Sequence, residues 1–280
     1  MMRLQKMWIC PVCRWPLLLT EKQWQCENGH SYDHAKAGYV NLLLANHKNK
    51  SEPGDSKAMM EARRAFLEAG YYHPLVESLT QLIVSPKPDK ALALYDVGCG
   101  EGYYSAMIST ALNKAGIKVK AGGNDISKPA IEKAAKKYQE LEFVIASNFK
   151  IPVASASQNV VLQIFAPVAT GEVRRILADG GIWLQVSPAQ EHLTQLRQAV
   201  YETARDHVVE ETIPDGFKLI TSKRLSFEFE LPELQSRKDL LMMTPYYWSM
   251  SQTNVDTVLG KIGKLNADFS IRILEKQSMV

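Results

Sequence analysis

The chain has 280 residues, of which 46% are hydrophobic, and its formal net charge is +3. This length supports one full-sized domain and a small additional one, and no apolar run is long enough to span a membrane. The N-terminus lacks the apolar segment and small-residue cleavage site of a secretory signal, so we expect a cytoplasmic protein.

The basic residues are concentrated near the N-terminus. Residues 1–64 contain 10 Lys/Arg and 6 Asp/Glu, a net charge of +4, so the remainder of the chain is close to neutral. A localised basic segment indicates a polyanionic partner, although an ordinary solvated surface explains the same charge.

The first 40 residues contain a pattern of metal ligands. Two residues separate Cys10 from Cys13, and three separate Cys26 from His30. Such pairs converge on one tetrahedral ion when a hairpin brings them together, and a reducing compartment makes disulfides the weaker alternative. We predict a zinc ribbon over residues 1–40. Its single Zn²⁺ is structural, because four protein ligands leave no coordination position open for catalysis.

Three tryptophans, Trp8, Trp15 and Trp24, flank these ligands, and basic residues lie between them. Aromatic and basic side chains together suit unstacked RNA bases and their phosphates. The same tryptophans could instead form the small core that a ribbon needs. The sequence leaves both interpretations open.

Residues 41–90 are predicted to connect the ribbon to a larger domain. Residues 46–51 are polar and basic, which indicates an exposed linker, and residues 53–56 (Pro-Gly-Asp-Ser) suggest a turn and a helix cap. Helical periodicity follows over residues 58–69, with Gly70 in the C-terminal cap position. A second helix is predicted from about residue 73 to residue 83.

The most informative motif begins at residue 91. An apolar run over residues 91–95 ends in Asp96, and Gly98, Gly100 and Gly102 follow at alternate positions before a helical pattern begins. This predicts a strand, a tight turn and a helix, with a backbone that a ligand can approach closely. A phosphate-binding loop would need Gly-Lys-Ser/Thr, and a dinucleotide fingerprint would place its last glycine one residue later. The order Asp-x-Gly-x-Gly-x-Gly resembles motif I of the class I S-adenosylmethionine-dependent methyltransferases.

A second strand, predicted over residues 119–125, ends in Asp125. An acidic residue at this place can accept hydrogen bonds from both ribose hydroxyls of an adenosine. Alternatively, Asp125 and Ser127 cap the helix predicted over residues 128–138, a role that is compatible with ligand binding.

Strands and helices alternate further along the chain. Strands are predicted over residues 141–146, 159–165, 181–187, 217–221, 225–231 and 268–274, and helices over 170–177, 192–206 and 255–265. This alternation predicts an α/β fold. We expect a Rossmann-like class I methyltransferase domain over residues 91–280, with a mostly parallel, seven-stranded sheet.

A linked set of motifs spans nearly the whole chain: the ribbon ligands, Ala-Lys-Ala-Gly-Tyr-Val-Asn-Leu-Leu at 35–43, the 53–56 turn, Arg-Arg-Ala-Phe-Leu at 63–67, the glycine loop at 96–104, Phe-Ala-Pro at 165–167 and Met-Thr-Pro at 243–245. Together they resemble the bacterial 23S ribosomal RNA guanine-N1 methyltransferases. The glycine loop alone would indicate only the superfamily.

The resemblance implies an RNA-recognising zinc ribbon, a domain that binds S-adenosylmethionine, and a homodimer in some members. It places cofactor contacts on Gly100, Glu101, Tyr72 and His192, although Tyr72 could be a core residue and His192 a helix-start residue. The predicted cofactor site therefore comprises Tyr72, Asp96, Gly98, Gly100, Glu101, Gly102, Asp125 and His192. The expected substrate is a guanine in a hairpin loop of 23S ribosomal RNA, since pairing would bury its N1 atom.

Chemistry excludes some other methyl acceptors. Methylation at carbon 5 of a pyrimidine needs a cysteine nucleophile, and Cys99, between two loop glycines, is wrongly placed for it. Exocyclic adenine methylation commonly uses Asn/Asp-Pro-Pro-aromatic, where this chain has Phe-Ala-Pro at 165–167. Phe165 either packs on the target base or belongs to the strand core. Glu101 and His192 could accept the N1 proton, but their expected cofactor roles leave the general base unassigned.

Two other functions are considered. An inactive zinc-ribbon RNA-binding protein would not need the glycine loop and Asp125, and a small-molecule methyltransferase would not need the ribbon and its basic linker. We also expect the ribbon and the catalytic domain to fold around separate centres, so that loss of zinc leaves cofactor binding intact.

Overall fold

The computed structural model describes residues 7–44, 56–84, 91–201 and 212–278. The basic linker predicted at 46–51 and the first three residues of the predicted 53–56 turn lie outside these ranges. Among the described residues, no helix has the length and apolar character needed to cross a membrane.

The N-terminal segment forms a three-stranded antiparallel sheet of β1 (Leu18–Leu19), β2 (Gln23–Gln25) and β3 (Ser31–Asp33). A short strand, β4 (Val40–Asn41), follows. Helices α1 (Lys57–Glu68) and α2 (His73–Val84) come next, close to their predicted bounds. Ser56 caps α1, because its Oγ accepts a hydrogen bond from the backbone N–H of Met59 at 3.2 Å.

The remaining strands are β5 (Leu92–Val97), β6 (Val119–Asp125), β7 (Glu142–Ile145), β8 (Gln158–Ile164), β9 (Leu177–Pro188), β10 (Phe217–Glu230) and β11 (Lys264–Lys276). The remaining helices are α3 (Tyr103–Lys114), α4 (Lys128–Lys137), α5 (Thr170–Ile176), α6 (Thr194–Val200), α7 (Leu234–Met242) and α8 (Gln252–Lys261), with a short 3₁₀ helix at Tyr247–Ser249. The sequence did not predict α7.

The large sheet has the strand order β10-β11-β9-β8-β5-β6-β7-β4. The strands from β9 to β4 pair in parallel, whereas β11 is antiparallel to both β9 and β10. Side chains of β5 alternate between two apolar clusters, with Leu94 in one and Tyr95 in the other. The central strands are therefore buried on both faces.

The predicted count of seven strands is wrong, because the described part of this sheet has eight. The additional strand is β4, in which Val40 pairs with Val144 and Asn41 with Ile145 of β7. Two residues carry no periodic pattern, so only the packing reveals this strand. The two extended segments predicted at 217–221 and 225–231 form one strand, β10, with an irregularity near Leu219.

The zinc ribbon packs against the sheet rather than standing apart from it. Within the described connection from β7 to β8, residues 146–157, the structure has no helix, and the ribbon covers this part of the sheet face. Trp8 forms a bridge with Val153 and contacts the ring of Tyr95 edge-on at 6.2 Å. The N–H of Ile9 donates to the carbonyl of Pro152 at 2.9 Å.

Trp8 and Trp24 are buried in the same apolar cluster as Tyr95 and Val97 of β5. One cluster thus joins the ribbon to the sheet, which argues against separate folding centres, and the expectation that zinc loss spares cofactor binding stays a prediction. The domain boundaries predicted at 40/41 and 90/91 stay a prediction.

Candidate active site and metal centre

A cleft of about 610 Å³ opens at the carboxyl ends of the parallel strands. It lies beside β5. On one side of β5 the sheet continues with β6 and β7, and on the other with β8 and β9, so the strand order reverses at β5. Open α/β sheets bind their ligands at such a switch point, because the loops on the two sides diverge there. The predicted site residues that line the cleft are Tyr72, Gly98, Gly100, Glu101, Asp125 and His192.

The three glycines of the loop after β5 all have positive φ angles, of +73° at Gly98, +54° at Gly100 and +77° at Gly102. A Cβ atom added to Gly98 would lie 2.5 Å from Cβ of Ala166, and one added to Gly102 would lie 2.7 Å from the Phe143 ring. A Cβ on Gly100 would meet no described atom within 4 Å. Gly98 and Gly102 therefore permit close packing, whereas Gly100 borders the open cleft.

Asp125 stabilises this loop from the end of β6. Its Oδ2 accepts a hydrogen bond from the backbone N–H of Gly100 at 3.0 Å, and its Oδ1 accepts one from that of Ser127 at 2.8 Å. Ser127 caps α4 itself, through a 3.4 Å hydrogen bond from the N–H of Ala130 to its Oγ. The capping alternative thus applies to Ser127, while the carboxylate of Asp125 lines the cleft.

Asp96 has a different position. Its side chain is buried behind the loop, does not line the cleft, and accepts a hydrogen bond from Ser105 Oγ at 2.5 Å. Burial raises the pKa of Asp96 to about 7, and the nearby charge of Asp125 adds to the increase while the Ser105 hydrogen bond opposes it. Asp96 therefore joins the end of β5 to the first turn of α3.

Glu101 lies in the cleft wall and forms an ion pair with Lys133 of α4, whose Nζ is 3.2 Å from Oε1. Burial raises the pKa of Glu101, and the ammonium of Lys133 opposes the increase. The carboxylate has no further hydrogen-bond donor among the described residues. It therefore retains capacity to accept hydrogen bonds from a ligand.

Tyr72 and His192 are 120 residues apart in the sequence but adjacent in the structure. The Tyr72 hydroxyl lies 3.5 Å from Nε2 of His192, and both residues line the cleft. Tyr72 is buried among Phe66, Phe229 and Phe269, so it packs in the core as well as facing the cleft. Helix α6 begins at Thr194, so His192 precedes it rather than starting it.

The four predicted zinc ligands converge at one end of the ribbon. The Sγ atoms of Cys10, Cys13 and Cys26 and a ring nitrogen of His30 all lie within 4.8 Å of one another, and the Sγ atoms of Cys13 and Cys26 are 3.7 Å apart. Tetrahedral Zn²⁺ with Zn–S bonds of about 2.3 Å separates sulfurs by about 3.8 Å. The donors therefore fit Zn²⁺. The Tyr32 hydroxyl, 3.1 Å from Cys10 Sγ, supports this ligand from outside.

Comparisons with known proteins agree with this geometry. A family model described as "RlmA, N-terminal", a zinc ribbon, matches residues 8–51, and one described as "Methyltransferase domain" matches residues 88–245. The 23S rRNA (guanine(748)-N(1))-methyltransferase of Streptomyces fradiae is 33% identical over 226 residues, which cover 77% of each chain. The chain belongs to the 23S rRNA (guanine-N1)-methyltransferase family.

YxjB of Bacillus subtilis (strain 168), which is assigned provisionally to the same activity, is 30% identical over 258 residues and covers 89% of each chain. Among solved structures, YcgJ from Bacillus subtilis matches 74% of this chain and all of its own, with a TM-score of 0.48 and 14% identity. The predicted class I methyltransferase domain with an N-terminal zinc ribbon is confirmed, apart from the strand count.

For a chain of this family, the position of Phe165 is informative. It follows the last residue of β8, has a φ of +56°, and exposes 43% of its surface at the cleft. A bulky residue with positive φ is uncommon and often marks a functional site. The strand-core alternative for Phe165 is therefore wrong.

Tyr104 is a cleft residue that sequence reasoning missed. Its hydroxyl is buried and has no hydrogen-bond partner among the described residues, and its ring meets Phe165 edge-on at 6.5 Å. The only sequence signal was its place in the first turn of α3, two residues after Gly102. Nothing in the pattern distinguishes it there from a packing residue.

Proposed function

We propose that this protein transfers a methyl group from S-adenosylmethionine to N1 of a guanine in a hairpin loop of 23S ribosomal RNA. The observation that carries the proposal is the cleft itself, in which a glycine loop held by Asp125 faces an exposed aromatic ring, Phe165. Relatives named for this reaction cover most of the chain.

The cleft residues fit the cofactor. The carboxylate of Asp125 would accept hydrogen bonds from the ribose hydroxyls, and the open space beside Gly100 leaves room for the cofactor to lie against the backbone. Glu101, Tyr72 and His192 are proposed as further contacts, whereas Asp96, Gly98 and Gly102 act by shaping the loop. When bound, S-adenosylmethionine supplies an activated methyl group on a sulfonium centre.

The chain's own task is then to position the guanine. We propose that Phe165 packs on the target base, because its ring is exposed between Tyr104 and His192, at 6.5 Å from each ring centroid. A base that is stacked there lies beside the glycine loop, and the surrounding apolar side chains exclude water from the reacting atoms.

The rim of the cleft favours an unpaired RNA segment. One wall carries a net positive charge, because Arg63, Arg64, Lys133 and Lys137 outnumber the two glutamates that line it. Arg64 and Lys137 pair with Glu68, and Lys133 pairs with Glu101. The other is aromatic, where Tyr246 lines the cleft and contacts the exposed Tyr201. Unpaired RNA offers phosphates to basic groups and base faces to aromatic rings. Guanine N1 is also accessible only when the base is unpaired.

Methyl transfer from labelled cofactor tests this function. Unmodified 23S ribosomal RNA, a metabolite extract and protein would each be offered as acceptor, and nucleosides from the RNA would be identified by mass spectrometry. We expect 1-methylguanosine as the product on a hairpin transcript. We expect the rate of methylation to be much lower when the target guanine is locked into a stable duplex. Equal rates on paired and unpaired RNA, or label in the metabolite extract alone, would contradict the proposal.

We also propose that the protein acts in the cytoplasm, where its ribosomal RNA substrate is made, and that it forms a homodimer, as the resemblance implies for some members of the family. Light scattering after size-exclusion chromatography would give the mass in solution. A monomeric mass at micromolar concentration would contradict the dimer but not the reaction.

A further inference from the structure

Asp268 of β11 is a fully buried carboxylate with three donors on it. Arg224 of β10 donates from Nε to Oδ1 at 2.7 Å and from Nη2 to Oδ2 at 2.9 Å. The backbone N–H of Glu191 donates to Oδ2 at 2.9 Å. A buried carboxylate needs such donors to offset its lost hydration. Here the donors join two strands of the sheet to the loop that follows β9.

That loop, residues 189–193, carries His192 and is fixed to β11 at both ends. The N–H of Ala189 donates to the carbonyl of Asp268 at 2.9 Å. The N–H of Leu193 donates to the carbonyl of Asn266 at 2.8 Å. Glu191 also pairs with Arg224 at 2.6 Å. The backbone around His192 is therefore held in one place relative to Asp268.

Asp268 also determines which ring nitrogen of His192 carries the proton. Its backbone N–H donates to Nδ1 of His192 at 3.3 Å, so Nδ1 must keep its lone pair. The proton of the neutral ring then resides on Nε2, which lies 3.5 Å from the Tyr72 hydroxyl at the cleft. Phe269 flanks the ring at 4.8 Å. His192 thus directs an N–H toward the Tyr72 hydroxyl at the cleft wall.

The strand order indicates which part of the cofactor this donor meets. The ribose site is at the end of β6, and His192 follows β9, with β5 and β8 between them. A cofactor whose ribose lies at β6 and which crosses the glycine loop of β5 extends its amino-acid portion toward β8 and β9. The carboxylate of that portion only accepts hydrogen bonds, so an N–H donor matches it.

We propose that Asp268 and Arg224 are positioning residues, which hold His192 as an Nε2–H donor to the carboxylate of the cofactor's amino-acid portion. The proposal rests on the proposed cofactor. Neither Asp268 nor Arg224 lines the cleft, so each acts through His192 and the loop that carries it.

Two ligands separate this role from general stability. Calorimetry would measure the affinity of S-adenosylhomocysteine and of 5′-methylthioadenosine, which lacks the amino-acid portion. We expect Asp268→Asn and Arg224→Gln to weaken S-adenosylhomocysteine binding about tenfold, equivalent to about 1.4 kcal/mol, and to leave 5′-methylthioadenosine binding unchanged. Glu228→Gln is the matched control, because it breaks an exposed 2.8 Å ion pair with Lys264 on the same two strands.

A second readout is independent of the ligand. NMR of protein labelled with ¹⁵N-histidine would identify the tautomer of His192, which we expect to be Nε2–H in the native protein. We expect a mixture in Asp268→Asn and Arg224→Gln, because losing the carboxylate contacts lets the loop move His192 away from the backbone N–H of residue 268. Arg224→Lys keeps the charge, so it should retain more of the native Nε2–H tautomer than Arg224→Gln does. Arg224 is about half exposed, so we expect its variants to fold. They keep the proposal testable if Asp268→Asn does not fold.

Unchanged S-adenosylhomocysteine affinity and an unchanged tautomer in the folded Arg224→Gln protein would overturn the proposal. An equal loss of affinity for both ligands would also overturn it, since that pattern indicates general disruption. If the native protein binds neither ligand, the proposed function fails. The tautomer measurement would then still decide whether Asp268 and Arg224 position His192.

Discussion

At the scale of single residues, two aspartates of the cofactor motif differ because their surroundings differ. Asp125 reaches the cleft and receives two backbone N–H groups, one from Gly100 of the glycine loop. Asp96, at the end of β5, is enclosed and accepts a hydrogen bond from Ser105. The first can hold a ligand, whereas the second can act only by holding the protein together.

We expect Asp125→Ala to weaken S-adenosylhomocysteine binding by roughly 1.5 to 3 kcal/mol, because the ribose loses a charged acceptor. The variant also leaves the N–H of Gly100 without its acceptor, which adds to the loss. Isothermal calorimetry measures the effect. Ser127→Ala is the control, since it removes the α4 cap and a 3.5 Å contact of Oγ with Met60 but keeps the backbone N–H that binds Asp125. It should cost about 1 kcal/mol of stability with little change in affinity. Native-like affinity in Asp125→Ala would exclude the ribose role.

Asp96 should make stability depend on pH. Its pKa is about 7 in the folded protein and about 3.9 when unfolded, so the folded state binds the proton more tightly. The resulting stabilisation is complete below pH 4 and is lost as the pH rises through 7, a decrease of up to about 4 kcal/mol. Urea unfolding at pH 5 and pH 8 checks this. The free energy of unfolding should decrease less between these pH values in Asp96→Asn than in the native protein. An equal decrease in both proteins would contradict the assignment.

At the scale of elements, the ribbon replaces a helix on one face of the sheet. An ion pair contributes to the docking of the ribbon at its edge, where Arg14 lies 3.9 Å from Glu172 of α5. Burial opposes the ionisation of Glu172, but the guanidinium of Arg175 holds its pKa below the usual value. Trp8 is buried in the same apolar cluster as Tyr95 and Val153, and burial of this kind stabilises more than an exposed ion pair, so we expect it to contribute most of the docking energy.

The tryptophans of the ribbon should therefore differ in their effects. Trp8 is 2% exposed, and we expect Trp8→Ala to lower the free energy of unfolding by about 3 to 5 kcal/mol. Trp15 is 47% exposed, and Trp15→Ala should change it by less than about 0.5 kcal/mol. Urea unfolding gives both values. If Trp15 stacks on an RNA base, its variant should also bind RNA more weakly, by about 1 to 3 kcal/mol.

At the scale of the whole molecule, one apolar cluster connects the zinc centre to the strand that carries the glycine loop. It contains Cys10 and Cys26 of the ribbon together with Tyr95 and Val97 of β5. The loop begins at Gly98, directly after Val97. We therefore expect a change at the metal centre to reach the cofactor site through packed side chains.

We expect Cys26→Ser to remove zinc, lower the unfolding temperature of the whole protein, and weaken S-adenosylhomocysteine binding several-fold. Metal binding supplies much of a ribbon's folding free energy, and without the ribbon one face of β5 is exposed. Scanning calorimetry, zinc analysis and ligand titration measure the three effects. His73→Gln, a change at an exposed histidine of α2, is the control. Native affinity in a zinc-free protein would restore the earlier expectation of separate centres.

The sequence by itself determined the features that depend on short spacing. The zinc ligands, the strand, turn and helix around Gly98, and the bounds of β6 and α4 all follow from residues close together in the chain. Local backbone preference and side-chain periodicity are enough to encode them.

Only the tertiary structure decided the contacts between distant segments. It placed Tyr72 beside His192, added β4 to the edge of the sheet, and directed Asp268 to the loop after β9. It also gave Phe165 its positive φ and packed the ribbon on the sheet. These features depend on which surfaces are buried together, and the free energy of that burial belongs to the folded chain and not to any one segment.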